Sequence, residues 1–253
     1  MALGNIDPRT VGRTQSTAVY DEGLRSYMLR VYNYMGTGLA ITGLMAFVIA
    51  QMSVQFGANG EIVAFTSFGQ TLFLSPLKWL VMLAPLGMVL LFSAAINRMS
   101  ASMAQIVFWL FAAMMGVSLS SIFIAFTSES VVRVFFITAV TFGAMSLYGY
   151  TTKRSLANWG SFLFMGLIGI IIAMVVNIFM QSSALQFAIS VIGVLVFVGL
   201  TAYDTQRIKE TYSVHMSGEM AKKTAIHGAL RLYLDFINLF IMLMQLLGVA
   251  RGE

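Results

Sequence analysis

Seven stretches of this chain are almost continuously apolar, at residues 31–54, 77–96, 104–126, 132–150, 160–180, 184–203 and 228–250. A helix needs about 20 apolar residues to cross the hydrocarbon core of a bilayer, whereas a spanning strand is about half as long and alternates in polarity. The pattern therefore predicts an all-α membrane protein with seven transmembrane helices. Turn-forming residues punctuate the gaps: Gly57, Asn59, Gly60 and Pro76; then Thr127 to Ser130; then Gln181 to Ser183. Residues 1–28 carry three arginines, three acids and no apolar run. They read as a flexible cytoplasmic arm rather than a secretory signal, and 29–253 as the transmembrane domain.

Composition agrees with the pattern. The chain has 253 residues, 58% hydrophobic and only 10% charged, with a mean hydropathy of +0.84. Soluble proteins carry about 25% charged residues. The absence of cysteine excludes disulfides, thiol catalysis and Cys-based metal sites. The net charge of +5 is read as loops facing anionic lipid and not as a nucleic-acid surface. Twelve lysines and arginines fall before the odd-numbered spans and three on the other side, which predicts a cytoplasmic N-terminus and an outside C-terminus. Gly36, Gly38, Thr42, Gly43, Gly116, Ser120, Gly166 and Gly169 are small residues inside spans, expected at close helix contacts.

Enzyme signatures are missing: there is no G-x-x-x-x-G-K, H-E-x-x-H or G-x-S-x-G. No catalytic role and no cofactor are expected. His215 and His227 fall in or beside a long inside loop, 205–227, and read as solvated. Two acids remain that no loop explains. Asp204 closes span six in LVFVGLTAYDTQRIK, and Asp235 lies inside span seven in LRLYLDFINLFIMLMQLL. A carboxylate inside a span costs about 2.5–3.5 kcal/mol on insertion scales, so it faces a cavity or a partner. Both lie in the inner third of the membrane, which makes them a pair; a static hydrogen-bonded anchor and a titrating or ion-conducting unit are both open to it, and coupled sites titrate in steps that belong to neither alone. Asn238, Met242 and Gln245 continue from Asp235 at 3-4-3 spacing, so a polar stripe of span seven must point into the bundle. Arg98, at the inner end of span two, is the nearest cation by depth; pairing with a carboxylate and snorkelling to headgroups are both open to it.

Three segments carry a resemblance: GAMSLYGYTTKRSL at 143–156, FVGLTAYDTQRIK at 197–209 and ALRLYLDFINLFIMLM at 229–244. In this order and at these span ends, the chain resembles bacterial members of the Bax inhibitor-1 family (transmembrane Bax inhibitor motif proteins) from about residue 25 onward. The resemblance implies a last helix wrapped by the other six. It also implies a pH-sensitive calcium leak, with Asp204 and Asp235 as the coupled pH sensor and transient calcium contact and Arg98 as an arginine latch. It implies modulation of membrane proteolysis in bacterial members and suppression of cell death in eukaryotic ones. Short loops and the lack of a basic C-terminal tail point to a bacterial inner membrane. The leading expectation is thus a calcium leak with calcium, protons and the bilayer as partners. A regulator that binds a membrane protease and a proton-coupled transporter are the alternatives.

Overall fold

The computed structural model describes residues 8–57 and 61–251. Seven helices in it are long and apolar enough to span a membrane: α1 (Pro8–Ser53), α2 (Leu77–Ala95), α3 (Ala101–Ala125), α4 (Ser128–Thr151), α5 (Ala157–Met180), α6 (Ser183–Thr211) and α7 (Gly218–Leu247). Each covers one of the seven apolar runs to within three residues. The chain is an all-α membrane protein. The gap between α1 and α2 holds a small antiparallel ribbon, β1 (Val54–Phe56) with β2 (Ile62–Phe65), then a helical turn that ends in a π-helical segment, Gln70–Leu74.

Local chemistry sets the breaks. Ser100, Thr127, Ser182 and Ser217 cap α3, α4, α6 and α7, each side chain accepting from the backbone N–H three residues on. Gln181 closes α5 in a left-handed conformation, φ 48°, and the Asn177 side chain accepts from the N–H of Ser182 to hold the turn.

Two boundaries differ from the pattern-based expectation. Residues 1–7 lie outside the described residues, but α1 is already helical at Pro8, and Leu24, Tyr27, Met28, Val31 and Met35 are all buried. Their spacing is one helical stripe, so residues 24–28 belong to the packed body and not to an arm. The 205–227 loop shrinks to Tyr212–Ser217. Thr205, Gln206 and Ile208 continue a buried face while Arg207 and Glu210 stay exposed, so charge marked the solvent face of a continuing helix.

α7 is the most buried of the seven helices, and α2 and α5 the least. Its principal neighbours are α6, α1, α4 and α3; α2 packs on α3, and α5 on α6. The jacket of α7 is therefore made chiefly by four helices, with two outer ones, in place of the expected six. Small residues seat the contacts, though not all of those expected. A Cβ on Gly38 would meet the Phe108 ring at 2.8 Å, and one on Gly116 the Thr42 carbonyl at 2.6 Å, whereas Gly36, Gly43 and Gly169 face open space. One close approach involves a glycine not expected there: Gly149 of α4 lies against the Ala202 backbone of α6. Gly149→Ala should thus cost about 1–3 kcal/mol by overpacking, while Gly43→Ala should be neutral or stabilise by up to ~1 kcal/mol through helix propensity. Thermal unfolding of the two purified variants in detergent checks this; equal melting would show that α4 and α6 are not in backbone contact.

Candidate functional site

One end of the bundle gathers the start of α1 with the end of α6, since Tyr212 stacks on Tyr20 and Tyr27 at 5.5 and 5.4 Å. The end of α4 and start of α5 join it there. Lys209 donates to the Tyr150 carbonyl at 2.7 Å and sits over the Tyr150 ring. Gln206 donates to the Arg154 carbonyl at 2.9 Å and accepts from the Leu156 N–H at 2.7 Å. Residues of the TAYDTQRIK segment thus do structural work on both sides of Asp204.

Asp204 and Asp235 meet in this end. Asp235 is 5% exposed, the Asp204 side chain 15%, and the two carboxyls are near neighbours. Asp204 also faces Arg231, whose guanidinium stands 3.6 Å from its Oδ1. The second oxygen of Asp235, Oδ2, is buried and finds no hydrogen-bond partner among the described residues. Beside Asp204 runs a chain of hydroxyls. Tyr32 bonds to Ser146 at 2.7 Å, Ser146 to Thr205 at 2.9 Å, and Thr205 donates to the Thr201 carbonyl. It ties α1, α4 and α6 together next to the acids.

The structure places the expected counter-charge elsewhere. Arg98 lies in the short turn Ile96–Arg98 after α2, is exposed, and makes no ion pair among the described residues. Arg231 takes that position because it shares α7 with Asp235, one turn away. The i, i+4 spacing was the available signal; it was masked because Arg231 counts equally well as an interfacial basic residue. The polar stripe also divides. Asn238 donates to the Leu234 carbonyl of its own helix at 2.9 Å. Gln245 lies at the opposite end, accepting from Gln186 at 2.6 Å and Ser190 at 2.7 Å, with Asn177 donating to Gln186. His227, half-buried, lies one turn before Arg231, and His215 is exposed. Among the described residues no group of three or more His, Cys, Asp or Glu stands ready for a metal. Resident Ca²⁺ takes 6–8 oxygens, so two carboxyls suit brief contact with an ion and not a stored one.

The family model described as inhibitor of apoptosis-promoting Bax1 matches residues 24–252. The chain belongs to the Bax inhibitor-1 family. It is similar to uncharacterized protein RP147 of Rickettsia prowazekii, 45% identical over 96% of this chain and 98% of that one. It is 44% identical to the inner membrane protein YbhL of Escherichia coli strain K12, over 94% and 98% of the two chains. A protein of Caulobacter vibrioides is 40% identical over 96% of each. With seven apolar helices and such relatives, this family member is a multi-pass inner membrane protein.

Removing Arg231 leaves Asp204 without its cation. A fully buried pair broken this way costs about 3–5 kcal/mol, and an exposed one 0–1. With Arg231 half exposed, Arg231→Gln should cost about 1–2 kcal/mol in thermal unfolding, and Arg98→Gln should leave the melting curve unchanged. The reverse ranking would return the counter-charge to Arg98.

Proposed function

We propose that this protein is a pH-sensitive calcium leak of the inner membrane, with Asp204 and Asp235 as both proton sensor and cation contact. The observation that supports this best is the pair of neighbouring, largely buried carboxyls with Arg231 facing Asp204. While the pair shares a proton, its charge is met by Arg231, and the oxygens between the carboxyls are engaged. Loss of that proton leaves two carboxylates face to face with one cation. Their repulsion is relieved by separation of α6 and α7 or by a divalent cation taking the place of the proton. Protons and calcium then compete for the same oxygens, which is the physical content of pH sensitivity here. The basic asymmetry supports a site opening toward the cytoplasm, with the N-terminus inside and the C-terminus outside. No catalytic constellation enters this reading; the protein conducts and does not transform.

Calcium-dye flux in liposomes carrying purified protein, taken across pH 6 to 8, tests it. The wild type should leak calcium in a pH-dependent way. Asp204→Asn and Asp235→Asn should each flatten that dependence, and the double variant should add little, because the two carboxyls are one titrating unit. Wild-type pH sensitivity in the double variant would make the pair a structural anchor.

Orientation has its own test. A reporter fused after Glu253 should be active only if it works outside the cytoplasm, and activity of an inside-only reporter would overturn the topology.

A further inference from the structure

α4 and α5 both pack on α6 but share no comparable interface with each other. Between them lies a cleft of about 680 Å³, floored by α6. The floor is low because Gly199 carries no side chain against Leu163, and Gly166 of α5 none against Val196. It runs from Ile192 to Tyr203, or about 16 Å at 1.5 Å per residue. One leaflet contributes about 15 Å of hydrocarbon, so the cleft is one leaflet deep. Its far end is apolar. Its mouth, at the end of the bundle that holds the carboxyl pair, carries Arg154 with Tyr148, Trp159 and Tyr203, and no acidic side chain lines it.

Arg154 is placed there firmly. Its carbonyl and the N–H of Leu156 are both tied to the buried Gln206 side chain, so the loop cannot swing from the cleft without breaking two hydrogen bonds. The guanidinium is exposed and makes no ion pair among the described residues. Trp159, 60% exposed, stands beside it as an interfacial aromatic. A guanidinium presents donors in a fork that matches a phosphate, and a cation near the surface draws anionic lipid.

We propose that this cleft holds an anionic phospholipid, one acyl chain lying along α6 and the phosphate against Arg154. A soluble anion would leave the apolar length empty. A phospholipid answers both the apolar channel and its charged mouth, and a second copy of this chain on the same face is one of the outcomes the test reads. The inference stands apart from the proposed conduction.

Native mass spectrometry of the purified full chain, with phosphatidylglycerol and phosphatidylcholine added in equal amounts, tests it. The wild type should retain phosphatidylglycerol in preference. Arg154→Gln should weaken that retention about fivefold, the effect of one cation near the surface, with melting unchanged. Arg133→Gln, at the other end of α4, should not alter it. Ile192→Trp fills the far end at a position 52% exposed; it should melt like the wild type and lower retention of both lipids. The proposal is overturned if the two lipids are retained equally, or if Arg154→Gln and Ile192→Trp bind like the wild type. It is equally overturned if Arg133→Gln weakens binding as much as Arg154→Gln, or if the wild type appears as a dimer that Ile192→Trp dissolves.

Discussion

A carboxyl group carried into the hydrocarbon of a bilayer has no water to solvate it, and only other parts of the protein supply what water would have given. In this chain that demand falls on Asp235, 5% exposed in the most buried helix. It is answered by a second carboxyl from α6 and, through it, by Arg231 from the same helix. The arrangement ties the position of α7 to that of α6, because neither acid is provided for without the other. Helices that carry no such burden stand outside: α5, the most apolar of the seven, is among the least buried and leaves its surface to lipid.

The same rule governs the other polar groups of α7. Tyr233 is fully buried, with its hydroxyl 2.6 Å from that of Thr42, which also lies 2.9 Å from the Ala112 carbonyl of α3. Its ring stands edge-on to Phe108 and Phe111, each at 5.7 Å. One side chain thus joins α7 to α1 and α3. At the far end, Gln245 closes the amide and hydroxyl chain through Gln186, Ser190 and Asn177. Beyond α7, the backbone of Arg251 donates to the Ala125 carbonyl and its side chain to that of Phe126, fastening the chain to the α3–α4 turn. These ties hold α7 both at the level of the acids, through Tyr233, and at its far end, through Gln245 and the chain beyond it.

The sequence by itself determined the solvent, the number of helices and which acids are out of place. These follow from local quantities: run length against bilayer thickness, and the cost of a charge within a run. It also brought Asp204 and Asp235 to one depth, because depth in a membrane is nearly a linear function of residue number along a span. Tertiary structure decided what depth leaves open, namely which side chains at one level face each other. Arg98 and Arg231 both lie near that level, and only the rotation of α7 and its packing on α6 gave the place to Arg231. Gln245 continued a stripe that one helix defines, yet its partners lie on α6 at the opposite end from the acids. Periodicity names a face of a helix; what that face meets is set by the packing of all the helices together, and that includes residues such as Gly149 and Gly199 whose contribution is the side chain they lack.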